Sequence, residues 1–260
     1  MEIVVVDAFT DRPFAGNPAA VCRLSGPVDE AWMKNLAREM NLSETAFLIP
    51  QADGHQIRWL TPSVEVDLCG HATLASAHVL MSEGAELVRF SSRSGPLSAA
   101  RLADGWIRLD FPATPPTVCE PPVGLLEALG CQARWVGRSR FDYLVEVESE
   151  GVVRALTPDH SALGKLDVRG IMVTAPGQDY DFVSRFFAPG AGVTKDPVTG
   201  SAHCCLTPYW AGKLGKPRLL AYQASARGGV VRVELAGQRV YLEGQAVTVS
   251  RVRLEPPAEP

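Results

Sequence analysis

The sequence predicts an α+β protein of two similar lobes, each a curved, mostly antiparallel sheet around one central buried helix. Three observations carry that prediction. Residues 71–83 and 201–210 are apolar and small nearly all round, and a helix with almost no polar face has to be buried. Strand-length runs of β-branched and apolar residues surround each of these helices. Both helices begin at a glycine, Gly70 in one half of the chain and Gly200 in the other.

The elements follow in order. Residues 3–6 are a short β-branched run and read as a buried strand. The stretch 29–40 reads as an amphipathic helix. Trp32, Met33, Leu36, Ala37 and Met40 share one face, with Asp29 as N-cap and Asn41 as C-cap. Strands are expected at 45–49 and 56–61, then the first buried helix, ended by Gly84. Strands return at 87–91, 97–102 and 106–111. Pro112, Pro115, Pro116, Pro121 and Pro122 then interrupt the chain, which places lobe boundaries at 1–112 and 113–260. The last strand is allowed to return to the first lobe.

After the prolines the order recurs. A short helix near 124–129 precedes strands near 134–136, 143–147 and 171–174. Residues 179–187 mix periods and read as a strand. A Gly/Pro-rich loop, 188–198, leads into the second buried helix, and strands close the chain at 219–224, 230–235, 239–242 and 246–254. The two helix starts read Asp67-Leu68-Cys69-Gly70-His71-Ala72 and Asp196-Pro197-Val198-Thr199-Gly200-Ser201-Ala202-His203. Aligning the glycines aligns Cys69 with Thr199, His71 with Ser201 and Ala72 with Ala202, as an ancient duplication would. A helix N-terminus offers unpaired N–H groups and the positive end of the macrodipole. A glycine there lets an anion approach the backbone. Two such turns are suited to hold a carboxylate and to stabilise a carbanion or enolate as it forms.

Composition narrows the function. The 260 residues are 46% hydrophobic and 21% charged, with a formal net charge of −4. The charge is spread without long runs, so no basic face exists for nucleic-acid phosphates and no nucleic-acid partner is expected. No run approaches the ~20 apolar residues of a membrane span. The start, Met1-Glu2-Ile3-Val4-Val5-Val6-Asp7, lacks the basic flank of a signal peptide, so a cytoplasmic location is expected. The six cysteines show no metal-type spacing and read as buried free thiols, and no Gly-rich phosphate loop occurs. No metal site is expected from these spacings.

Several residues have both a structural and a chemical reading. Glu44 is a solvated loop acid or a general base. His71 is a helix-start cap or a site residue, kept neutral by the helix dipole and still able to donate one hydrogen bond. Asp196, before Pro197, is an Asx-type cap or an acceptor for a substrate amine or for His71. Ser201 is an N-cap or first-turn residue, or a carboxylate ligand. Cys69 is a small buried hydrophobe, or a thiol whose pKa a helix N-terminus lowers. Asn17 is a turn residue or a cleft-lining amide. His78 and His203 lie inside the buried helices and read as satisfied core histidines.

The chain resembles the PhzF-like proteins of the phenazine-biosynthesis type, which share the diaminopimelate epimerase fold. The stretches that carry the resemblance are Asp7-Ala8-Phe9-Thr10, Phe14-Ala15-Gly16-Asn17-Pro18-Ala19-Ala20-Val21, Asn41-Leu42-Ser43-Glu44-Thr45-Ala46-Phe47, Cys69-Gly70-His71-Ala72-Thr73-Leu74-Ala75, Arg185-Phe186-Phe187-Ala188-Pro189 and the segment from Asp196 to His203. They occur in the family's order over nearly the whole chain. The resemblance implies an active site in the cleft between two pseudo-symmetric lobes, a homodimer, no cofactor, and a proton-shift isomerisation of a small dihydro-aromatic amino acid. It implies that Glu44 is the acid and base and that His71, Asp196 and Ser201 lie in the site. Taken with the residue readings above, Glu44, His71 and Asp196 are expected to be catalytic, and Asn17, Cys69, Gly70, Gly200 and Ser201 to contact a small carboxylated substrate. An epimerase or racemase using Cys69, and a binding protein without catalysis, are the alternatives. Two departures stand out. Lys195 replaces the acid usual before Asp196, and Thr199 stands where a two-cysteine epimerase carries its second thiol, which disfavours a two-thiol mechanism.

Overall fold

The structure, a computed structural model, describes residues 1–189 and 193–254, the side chains of 193–195 excepted. The Pro-rich end, the middle of the 188–198 loop and the Lys195 side chain lie outside the described residues. The chain divides into two compact units, Met1–Leu109 with the chain from Gly244 onward, and Asp110–Glu243.

The first unit contains β1 (Glu2–Ala8), β2 (Asn17–Arg23), α1 (Glu30–Met40), β3 (Glu44–Gln51), β4 (Gly54–Leu60), β5 (Glu65–Val66), α2 (Gly70–Ser82), β6 (Leu87–Ser92) and β7 (Gly95–Arg101). The boundary between units falls within β8 (Ile107–Pro112). The last strand of the chain, β18 (Ala246–Arg253), pairs antiparallel with β1. Antiparallel pairs join β1 to β2, β3 to β4, β4 to β5 and β6 to β7. The two crossovers, β2–α1–β3 and β4–α2–β6, make parallel pairs, because a helix must carry the chain back to the starting end. The predicted caps of α1 are observed. The Asp29 carboxylate accepts the Trp32 N–H at 3.3 Å, and Asn41 ends the helix at φ 49°. Met33, Leu36 and Ala37 pack with Ile3, Phe47 and Leu60. α2 is buried along its length except at His78 and Ser82. Its buried hydroxyls turn back on their own helix, Thr73 donating to the Cys69 carbonyl and Ser76 to that of Ala72.

The second unit contains β9 (Thr117–Val118), α3 (Leu125–Leu129), β10 (Trp135–Arg138), β11 (Asp142–Glu146), α4 (Glu150–Ala155), α5 (His160–Leu163), β12 (Gly170–Pro176), β13 (Phe182–Ala188), β14 (Val193–Asp196), α6 (Gly200–Leu214), β15 (Arg218–Gln223), β16 (Gly229–Ala236) and β17 (Arg239–Gly244). Its pairing repeats that of the first unit. β11 and β12 are parallel across α4 and α5, β12–β13 and β13–β14 are antiparallel, β13 and β15 are parallel across α6, and β15–β16 is antiparallel. In this order β11 answers β2, β12 answers β3, and α6 answers α2. The core is built from Leu125, Leu129, Val145, Val153, Ile171, Val173, Val183 and Phe187.

Several sequence expectations need correction. Residues 17–23 form a strand although Asn17 and Pro18 are turn formers, because Gly16 takes the turn instead. Its φ is +62°, and a Cβ there would lie 2.1 Å from the Ala8 carbonyl oxygen. α6 continues past Trp210 to Leu214, through Pro208. The Cys204 carbonyl that Pro208 cannot reach for lack of an N–H accepts the Thr114 N–H at 2.9 Å. The short helices α4 and α5, capped by Ser149 and Asp159, lack the length for a periodic signal. Cys119 and Cys131 are half-buried, whereas Cys22, Cys69, Cys204 and Cys205 are buried. His78 meets the Thr248 hydroxyl at 3.1 Å. His203 is only half satisfied: its Nδ1 meets the Thr199 carbonyl at 2.8 Å, while its buried Nε2 has no partner among the described residues.

Burial therefore pushes the His203 pKa down to about 4, with the Thr199 contact opposing it. A group with a depressed folded pKa binds more protons when unfolded. Its contribution is thus complete above about pH 6.5 and is lost as pH falls toward 4. In denaturant unfolding, the stability of the unaltered protein relative to His203→Asn should fall by ~2 kcal/mol between pH 7.5 and 5, a comparison from which the opposite contribution of the raised His71 cancels. A difference between the two that stays constant with pH would contradict the assignment.

Candidate active site

In the first unit the start of β3 meets the start of α2. Glu44 is the first residue of β3 and His71 the second of α2. His71 Nε2 lies 3.1 Å from Glu44 Oε2, and its Nδ1 lies 3.6 Å from Cys69 Sγ. One imidazole thus joins a thiol on one edge to a carboxylate on the other. A carboxylate accepts, so the Nε2 that faces it carries the proton. His71 and Cys69 are buried, whereas the Glu44 side chain keeps 14% of its surface exposed. Of the three groups, the carboxylate is the one open to a ligand.

Burial alone would lower the His71 pKa, but Cys69 and the Glu44 carboxylate more than offset it, and His71 is raised well above the ordinary histidine value. The expectation of a neutral imidazole is thereby overturned. A helix dipole acts weakly compared with a carboxylate in contact. Cys69 follows the first of its two readings, that of a small buried hydrophobe. Burial, and then the Glu44 charge, push its thiol up to about 11, with His71 opposing. The helix terminus does not activate it.

Neither Gly70 nor Gly200 is among the glycines with positive φ. The backbone conformation does not demand glycine at either place. Asn17 is fully buried at the start of β2. Among the described residues, Glu44, Cys69 and His71 form the one group of cysteine, histidine and carboxylate donors within 4.8 Å of one another that is suited to a metal ion. Local spacing could not reveal it, because Glu44 comes from another element. Cys69 and Glu44 touch opposite ring nitrogens, so an ion held by one nitrogen would have to draw a partner round the ring.

In the second unit the start of α6 is held by a different set. Thr199 is its N-cap. The Thr199 hydroxyl donates to Asp196 Oδ2 at 2.7 Å, and its N–H donates to Gln223 Oε1 at 2.8 Å. Gln223 returns a donor to the Asp196 carbonyl at 2.8 Å. Asp196 therefore braces the turn through Thr199. Ser201 is the second residue of α6, and its hydroxyl accepts from Arg169 Nη1 at 3.2 Å. Arg169 in turn donates through Nε to Asp142 Oδ1 at 2.9 Å and through Nη2 to Oδ2. Sequence reading missed Arg169 and Asp142. Extending the repeat from the helix starts to the strand starts would have found them, since they sit where β12 and β11 begin.

A family model described as phenazine biosynthesis-like protein, PhzC-PhzF, matches residues 6–252. The chain belongs to this family. It is 53% identical to an uncharacterized isomerase of Halalkalibacterium halodurans over 97% of each chain. A crystal structure of a PhzF-family protein from Enterococcus faecalis superposes with a TM-score of 0.91 at 42% identity, over 96% of this chain and 97% of that one. A predicted epimerase of Pseudomonas aeruginosa, 20% identical with a TM-score of 0.77 over 97% and 98% of the two chains, shares the fold. Family membership accords with the two-unit, epimerase-like architecture.

The opposed shifts of the two buried histidines are open to side-chain NMR. His71 should stay protonated through neutral pH, and Glu44→Gln should lower its midpoint. His203 should remain neutral down to about pH 4. A His71 that titrates unchanged in Glu44→Gln would contradict the contact.

Proposed function

We propose that the protein is a cofactor-independent isomerase that shifts a proton on a small carboxylated substrate, amino acid-like or dihydro-aromatic, with Glu44 as acid and base. The observation that carries this is the 3.1 Å contact between the partly open Glu44 carboxylate and the buried His71. The isomerase name of the Halalkalibacterium relative and the epimerase fold support the reaction class. In the first step the substrate C–H bond breaks and an O–H bond forms on Glu44, while the electron pair enters the substrate's conjugated system. In the second the O–H bond breaks and a C–H bond forms at the other carbon. His71 orients the carboxylate and tempers its charge between the steps. Asn17 and Gly70 of the first unit, and Asp196, Gly200 and Ser201 of the second, are the proposed contacts for the substrate's polar groups. A homodimer in the cytoplasm belongs to the same proposal, by resemblance to the family.

A second reading, with Cys69 as the proton carrier, draws on its 3.6 Å contact with His71. The raised thiol pKa weighs against it, because the thiolate is the basic form.

Exchange in heavy water separates the two. The protein is incubated with a panel of amino acids and dihydro-aromatic acids, and deuterium at carbon is followed by NMR. Glu44→Gln should lower exchange by at least about a hundredfold, the lower end of what general acid–base catalysis supplies. Cys69→Ser should stay within about tenfold of the unaltered protein. The reverse ranking would transfer the role to Cys69, and exchange with no acid in the panel would reject the isomerase reading.

A further inference from the structure

The contact that joins Glu44 to His71 has a counterpart in the second unit. Glu44 opens β3 and touches the second residue of α2. Arg169 immediately precedes β12, which answers β3, and touches Ser201, the second residue of α6. The same junction thus carries a carboxylate and an imidazole in one unit, and a guanidinium and a hydroxyl in the other.

The second junction is built rather than incidental. Asp142 is 1% exposed and takes both Nε and Nη2 of Arg169, a bidentate arrangement that fixes the guanidinium plane. The Phe141 and Phe186 rings lie with their centroids 5.0 and 5.8 Å from the guanidinium carbon. Gly170 makes room for this packing, since a Cβ there would lie 2.2 Å from the Phe186 ring. Asp142 and Gly170 are also register partners in β11 and β12. The remaining nitrogen, Nη1, is left to reach Ser201.

Arginine can only donate. Its bond to Ser201 occupies a lone pair of the hydroxyl oxygen and leaves the hydroxyl hydrogen to point elsewhere. Three fully buried hydroxyls of these helices spend that hydrogen on the carbonyl one turn back: Thr73 on Cys69, Ser76 on Ala72 and Thr207 on His203. No such bond is made by Ser201, whose hydrogen has no acceptor among the described residues. We propose that Arg169, clamped by Asp142, is a positioning residue that fixes Ser201 as a hydrogen-bond donor for the substrate's carboxylate. This rests on the reading of Ser201 as a substrate contact. It adds the side chains that give the hydroxyl its polarity and its direction, and it assigns the second junction to anion recognition and the first to proton transfer.

The test is binding, without turnover. Calorimetric titration compares two acids, 2-aminobenzoate and 1,4-cyclohexadiene-1-carboxylate, each with its primary amide. The unaltered protein should prefer acid to amide by about tenfold or more, the worth of one hydrogen bond to a charged group. Ser201→Ala should abolish the preference. Removing Arg169 alone would leave the buried Asp142 unpaired, so the Arg169→Gln, Asp142→Asn double variant is the second probe. It should fold, as judged by circular dichroism, and lose the same preference, while Arg169→Lys should restore part of it. A merely structural role would move the affinity for acid and amide together. Glu44→Gln should keep the preference although it does not exchange protons, which separates failure of this proposal from failure of the preceding one. No acid preference in the unaltered protein, or an unchanged preference in Ser201→Ala or the double variant, overturns it.

Discussion

Everything chemical in the first unit depends on one contact, that of Glu44 at the start of β3 with His71 in the first turn of α2. The contact follows from how the unit is built. A helix with no polar face can be satisfied only by a sheet that surrounds it, so its sides carry small apolar residues and its hydroxyls fold back on its own carbonyls. Polar chemistry is confined to the helix end, where N–H groups are unpaired and a strand begins alongside. That end brings together an acid, an imidazole and a thiol from two elements far apart in sequence.

The second unit applies the same construction to another purpose. Its strand order and parallel crossovers repeat those of the first. Yet the residues at the junction differ in sign. In the first unit the group that precedes the helix is an anion that accepts, and in the second it is a cation that donates. The repeated strand order supplies two helix ends in like surroundings, and their side chains give them unlike electrostatics. Under the proposed function the first junction carries the proton and the second holds negative charge.

The fold was largely legible in the sequence because it rests on composition. The all-round apolar character of 71–83 and 201–210 has few solutions, and the α1 caps are read from Asp29 and Asn41 directly. Short elements with weak periodicity, β2, α4 and α5, were not legible. The site was legible in part. Glu44 by position is an ordinary loop acid, and its place came from the Ser43-Glu44-Thr45 motif. The charge of His71 was misread because the helix dipole was weighed without the carboxylate that arrives from β3. The Asp142–Arg169–Ser201 chain escaped notice because its members lie on three separate elements and no local pattern links them. Lys195, which departs from the family pattern, has its side chain outside the described residues.

The most direct measurement of Glu44's role follows the moving proton itself. An exchanging acid is deuterated at the carbon that loses its proton, turned over in ordinary water, and its product examined for label at the carbon that gains one. A single carboxylate that takes and returns the same proton predicts measurable transfer of deuterium to the new position, and none in Glu44→Gln. Transfer that survives Glu44→Gln would contradict the assignment of Glu44 as acid and base.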